Sequence, residues 1–203
     1  SEDDIKLKEL GLFPFQVEGV KFLKSKKRAL LGDDMGLGKS VQALMAIPEN
    51  DSVIIVSPSC VKYNWAKEIK KWRPDYTPII VNNKENFVLP EKNQIVIVNR
   101  ENIPDYYDKS NENHSVYFNK DLITKLKSIC LIVDEAHKFK STKTIGSKKI
   151  RIISKYSHTC WLLTGTPVLN RAKDLWGVLS AGHMEKEVFL SYDNFLRLFN
   201  AHQ

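Results

Sequence analysis

Lys39 and Ser40 close a glycine-rich stretch, Leu30-Leu31-Gly32-Asp33-Asp34-Met35-Gly36-Leu37-Gly38-Lys39-Ser40, that separates a short apolar run from a helical pattern. This order of residue types suits a triphosphate. Glycines let backbone N–H groups approach the phosphates, and a helix N-terminus favours their charge. The Lys39 ammonium would reach the β- and γ-phosphates, the Ser40 hydroxyl would hold Mg²⁺, and Asp34, Met35, Gly36, Leu37 and Gly38 would supply the cradle. The strict form of such a loop has glycine five residues before Gly38. Here that position is Asp33, directly after Gly32.

A second group of candidate residues follows a continuous apolar run, Ile129-Cys130-Leu131-Ile132-Val133, which predicts a strand buried on both faces. It ends in Asp134-Glu135-Ala136-His137. Two acids after a strand are either a solvated turn that caps the next helix or part of a site. The phosphate loop upstream favours the site: Asp134 would help hold Mg²⁺, leaving Glu135 to orient and deprotonate water.

These groups need a scaffold that brings them together. Strand-like runs at 28–31, 53–56, 78–81, 94–98, 129–133 and 160–164 alternate mostly with helical patterns. The expected fold is therefore α/β, a mainly parallel sheet with helices on both faces. In such sheets ligands sit at the carboxyl ends of strands, where the Gly36 loop, Asp134-Glu135 and Thr164-Gly165-Thr166 all fall. Thr164 and Thr166 either finish a strand and cap its turn or sense a γ-phosphate through Glu135. The polar segment 105–119 reads as a long loop whose aromatics pack locally.

Val61, Trp65, Ile69 and Trp72 recur at helical spacing and predict one buried face, with Lys62, Lys67, Lys70 and Lys71 largely off it. Packing is favoured over base stacking for the two tryptophans. Ser57, Pro58 and Ser59 open that helix, where backbone donors and a hydroxyl suit a phosphate, with Lys62 close behind. Lys138, Lys140, Lys143, Lys148, Lys149 and Arg151 form a second basic stretch, either an exposed helix face or a track along a phosphate backbone.

In order along the chain, these motifs resemble the first RecA-like lobe of superfamily-two helicase-type ATPases of the Swi/Snf group. Phe13-Pro14-Phe15-Gln16 resembles that family's adenine-reading motif, so Gln16 is expected to pair with the base as well as to cap its own helix. Asp33 is expected, since the family's phosphate loop begins with aspartate. Val56-Ser57-Pro58-Ser59, Asp134-Glu135-Ala136-His137 and Leu163-Thr164-Gly165-Thr166-Pro167 match three further motifs. The resemblance implies ATP and Mg²⁺ as cofactors, Lys39, Glu135 and His137 as catalytic groups, and His137 as a relay toward the coupling residues Thr164, Gly165 and Thr166. It also implies double-stranded DNA as partner and a second RecA-like lobe to supply catalytic arginines. The chain reads as one such lobe over 1–203, nearly inactive by itself, and more similar to annealing helicases or bacterial and phage relatives than to nucleosome remodellers. Two other readings remain, an RNA helicase of the Asp-Glu-Ala-His type and a non-motor ATP-binding module. Arg100, where the family often has tyrosine, and Leu169-Asn170, where it often has Gln-Asn, depart from the pattern.

The bulk properties agree with this reading. At 203 residues the chain is one domain's length, enough to bury roughly 70% of its unfolded surface. A net charge of +7 suits either a polyanionic partner or a solvated lysine-rich surface. Cys60, Cys130 and Cys160 are far apart and no histidine shows metal-ligand spacing, so a reduced intracellular protein without structural zinc is expected. No apolar run approaches a membrane span, and the acidic start does not suit a signal peptide.

Overall fold

The computed structural model describes residues 1–32, 38–104, 120–165 and 172–184. The helices are α1 (Glu2–Glu9), α2 (Pro14–Lys24), α3 (Lys39–Ala46), α4 (Lys62–Trp72), α5 (Lys120–Leu126), α6 (Ile145–Tyr156) and α7 (Ala172–Ala181). The strands are β1 (Arg28–Leu31), β2 (Ser52–Val56), β3 (Thr77–Ile80), β4 (Gln94–Val98), β5 (Ile129–Val133) and β6 (Thr159–Leu163). They form one sheet in the order β1-β6-β5-β2-β4-β3, and every pairing is parallel. All six expected strands are present, shifted by at most one residue at an end.

Burial on both faces explains why the strand sequences are runs rather than alternations. Val53 and Ile55 of β2 pack under α2, α3 and α4 with Val20, Leu44, Trp65 and Ile69. Their neighbours Ile54 and Val56 point the other way, against Leu126 of α5, Ile150 and Ile153 of α6 and Val178 of α7. Pro78 lies in β3, an edge strand, where a missing N–H interrupts no ladder on the outer side. The α4 stripe is core as expected: Trp65 and Ile69 are buried, and Val61 and Trp72 pack partly buried against the same cluster.

Two contacts fix the helices that carry site residues. Arg73, just past α4, donates to Leu44 O at 2.9 Å, to Ile47 O, and to both carboxylate oxygens of Asp75 at 3.0 and 2.9 Å. The guanidinium thereby adds a second donor to Leu44 O, which already accepts from the Ile47 N–H, and reaches Ile47 O at the C-terminal end of α3, holding the helix whose other end bears Lys39 and Ser40. On the opposite face, α7 packs on the 3₁₀ turn Ala136–Phe139. Gly177 permits the approach, because a Cβ built there would lie 1.6 Å from Lys140 O. A rigid backbone atom cannot yield as a side chain can. Gly177→Ala should therefore lower stability by about 2–3 kcal/mol, as overpacking does, read as a lower urea midpoint with an unchanged slope. An unchanged midpoint would show that α7 does not sit this close.

Candidate functional site

Parallel pairing places the ends of β1, β6 and β5 side by side, with Leu31 opposite Leu163 and Leu162 opposite Val133. The next residues are Gly32, Thr164-Gly165 and Asp134-Glu135, so three of the expected motifs meet along one edge. The Thr164 N–H donates to Leu31 O at 3.0 Å, which fixes Thr164 beside the start of the glycine-rich segment. That segment re-enters the described structure at Gly38, which is left-handed (φ 71°) and caps α3. Lys39 and Ser40 follow as its first helical residues.

Glu135 is also left-handed, at φ 52° and ψ 44°, a conformation that costs a non-glycine residue about 1 kcal/mol or more and marks a constrained site. Its consequence is geometric. The chain turns sharply into Ala136–Phe139, and the His137 ring comes to lie between Glu135 and the end of β6. His137 Nε2 is 3.1 Å from Glu135 Oε2, and Nδ1 is 3.0 Å from Thr164 Oγ1. Both ring nitrogens are thus engaged, and one imidazole links an acid on β5 to a hydroxyl on β6.

Asp134 is held differently. Its Oδ2 accepts from the Trp65 indole Nε1–H at 3.0 Å, and its Oδ1 accepts from the Glu135 N–H at 2.9 Å. Burial pushes its carboxyl above the usual aspartate range. The Trp65 and Glu135 hydrogen bonds oppose that rise, the Glu135 charge adds to it, and the Lys39 ammonium opposes it. A half-buried carboxylate beside a second acid is a place where a cation relieves charge. Asp134 and Ser40 also offer the hard oxygen donors that Mg²⁺ takes. The residues therefore fit that ion.

Gln16 stands at the flank of this edge. Its Oε1 accepts from the Phe13 N–H at 2.9 Å, the capping role expected of it. Its Nε2 would lie 2.4 Å from a Cβ at residue 38, so the carboxamide abuts Gly38 and a side chain there would displace it. Phe13 and Phe15 are exposed, with parallel rings 6.0 Å apart.

The SNF2-related domain model matches residues 15–203. The chain belongs to the SNF2-related family. It is 31% identical over 181 residues to the SWI/SNF-related matrix-associated actin-dependent regulator of chromatin subfamily A-like protein 1 of Xenopus laevis, covering 84% of this chain and 17% of that protein. To the DNA annealing helicase and endonuclease ZRANB3 of Bos taurus it is 30% identical over 198 residues, 94% of this chain and 18% of the other. The chain thus spans less than a fifth of these relatives' length. Its fold is shared with the Sulfolobus solfataricus SWI2/SNF2 ATPase core, solved alone and in complex with double-stranded DNA. The TM-scores are 0.66 and 0.65, at 22% identity over 92% of this chain and 37% and 38% of those chains. The RecA-like α/β architecture and the Swi/Snf resemblance read from the motifs are both found.

Within this SNF2-related domain the candidate nucleic-acid residues separate into two groups. Ser57, Pro58, Ser59 and Lys138 line a cleft of about 330 Å³ at the ends of β2, β4 and β5, with Asp134 in its wall. Lys140 is exposed and lies 3.7 Å from Asp174. Lys62 is a correction. It is 2% exposed, and its ammonium donates to Val81 O at 2.7 Å, Asn99 Oδ1 at 3.0 Å and Asn82 Oδ1 at 3.1 Å. The side chain crosses the ends of β3 and β4 and its charge is spent inside the fold. Lys149 is likewise buried, donating to Ile103 O at 2.8 Å, and Arg151, partly buried, donates to Ser180 O at 2.6 Å. Asp34, Met35, Gly36, Leu37, Thr166 and the departure at Leu169-Asn170 lie outside the described residues. Arg100, the other departure, pairs with Glu101 at 2.7 Å on the cleft's rim. Burial opposes ionisation of Glu101, yet hydrogen bonds from Arg100 and Asn99 outweigh it and bring its carboxyl down to about 2. Spacing missed Trp65 as a polar partner, because helical periodicity reports the face and not the indole N–H.

The two kinds of lysine should separate in denaturation. Lys62→Met strands three acceptors and should cost about 2–3 kcal/mol, whereas Lys138→Glu should stay within about 0.5 kcal/mol of the parent. Urea titrations of both variants check this, and equal losses would contradict the assignment.

Proposed function

We propose that this chain is the nucleotide-binding lobe of a double-stranded-DNA-stimulated translocase that hydrolyses ATP with Mg²⁺. The contact chain from Glu135 through His137 to Thr164 carries this reading, because it joins a candidate water-activating acid to the strand end that follows the phosphate loop in space. On this reading Lys39 offsets triphosphate charge and Ser40 and Asp134 hold the metal. Gln16 reads the adenine edge, and Phe13 and Phe15 offer apolar surface beside it. When bound, Mg²⁺ neutralises the charge that develops on the phosphate oxygens. Glu135 orients the attacking water and takes its proton. His137 holds Glu135 in place and passes its position to Thr164, whose loop, with Gly165 and Thr166, reports phosphate occupancy.

The partner assignments rest on the comparisons. The solved core of this fold was captured on double-stranded DNA, and one relative carries the name of an annealing helicase. Ser57, Pro58, Ser59, Lys138 and Lys140 are the proposed phosphate contacts. The solved cores are more than twice this chain's length, in accord with a second RecA-like lobe that supplies transition-state arginines. Such arginines contribute about 10³–10⁵ in rate in other NTPases, so the lobe alone should bind ATP and hydrolyse it barely.

Mg-ATP at a hundred times its Kd should stabilise the chain by about 2.7 kcal/mol, raising its Tm, and Lys39→Ala should abolish that rise. Glu135→Gln should keep the rise, and in the two-lobed protein it should lower kcat by a factor of about 10² or more. Equal thermal shifts in Lys39→Ala and the parent, or normal turnover by Glu135→Gln, would overturn the site.

Duplex DNA should bind weakly and without sequence preference, with affinity falling as salt rises. Lys138→Glu combined with Lys140→Glu should flatten the slope of log affinity against log salt by about one to two units, while leaving the ATP-induced shift intact. An unchanged slope would move the DNA path elsewhere on the lobe.

A further inference from the structure

Trp65 and Trp72 lie two turns apart on the same buried stripe of α4, but they satisfy their single polar atom in opposite ways. The Trp72 Nε1–H donates to Glu68 of its own helix at 2.9 Å. The Trp65 Nε1–H reaches across 69 residues to Asp134 Oδ2 at 3.0 Å. Trp65 is also 2% exposed, so the donor is shielded within the core, and losing it takes one partner from a carboxylate that lines the cleft. The second oxygen of Asp134 is committed to the Glu135 N–H at 2.9 Å. One donor on each oxygen fixes the plane of the carboxylate, while an ionised carboxylate keeps acceptor capacity on both oxygens.

We infer that Trp65 is a positioning residue for Asp134: its indole N–H sets the orientation in which that carboxylate meets a divalent cation. The inference rests on the nucleotide reading and deepens it. A ring placed for volume alone would be replaceable by phenylalanine without consequence for the metal. A ring placed for its N–H would not, because a ligand that must be re-oriented on binding loses affinity. Trp65 thereby couples the core packing of α4 to the acidic end of β5, and a 3₁₀ turn over Ser59–Val61 joins the same helix to the Ser57-Pro58-Ser59 segment.

The test follows the ATP-induced rise in Tm of the 203-residue chain as Mg²⁺ is titrated. Trp65→Phe keeps the ring in the core and removes the donor. It should raise the Mg²⁺ concentration at half-maximal effect about tenfold, while the rise at saturating Mg²⁺ recovers to near that of the parent. Trp72→Phe should leave the midpoint unchanged. A Trp65→Phe midpoint within twofold of the parent's, with only the basal Tm lowered, would overturn the inference and leave the nucleotide site standing. Absence of any Mg-dependent rise in the parent would overturn both. Should Trp65→Phe not fold, the indole N–H resonances of the parent decide the matter without metal or nucleotide. One of them, that of Trp65, should shift on Asp134→Ala while that of Trp72 stays, and no movement would overturn the inference.

Discussion

Parallel pairing of buried strands is the constraint on which the rest of this fold depends. A parallel ladder sends every strand the same way and requires a crossover after each, so all carboxyl ends collect on one edge. Here β1, β6 and β5 are neighbours although the chain between β1 and β5 passes through three other strands. Their ends carry Gly32, Thr164 and Asp134-Glu135. The sheet is what makes neighbours of residues more than a hundred positions apart, and the helical layers hold it by burying both faces.

That edge concentrates like charge. Asp134 and Glu135 are adjacent and partly buried; burial pushes the Asp134 carboxyl above its usual range, and the Glu135 charge adds to the rise. Three protein groups share the compensation at Asp134: the Trp65 indole on one oxygen, the Glu135 N–H on the other, and the Lys39 charge at the start of α3, while His137 lies against Glu135. A bound cation would complete it. The left-handed backbone at Glu135 belongs to the same arrangement, since it is this turn that brings His137 back over Thr164.

Much of this was legible in the sequence for physical reasons. A five-residue apolar run such as 129–133, rich in β-branched residues and ending in a polar turn, favours a strand buried on two faces, and glycine, lysine and hydroxyl in the order seen at 36–40 suit phosphate binding. What could not be read was the destination of long side chains. Lys62 sits at the start of an amphipathic helix and looks solvated by charge and spacing, yet its four-carbon stem carries the ammonium under the ends of β3 and β4. Lys149 repeats the lesson on α6, where a buried carbonyl accepts from it, and the partly buried Arg151 donates to Ser180 O. Trp65 was readable as core and not as a donor, because its partner comes from a strand that only the sheet order brings near.

A crystal structure of this chain with Mg²⁺ and a non-hydrolysable ATP analogue would decide whether the ends of β1, β5 and β6 form one nucleotide site. The triphosphate should lie at the N-terminus of α3 and the ion between Ser40 and Asp134, with the Glu135–His137–Thr164 contacts retained beside the γ-phosphate. A nucleotide seated in the cleft lined by Ser57, Arg100 and Lys138, or an ion bound away from Asp134, would contradict this arrangement.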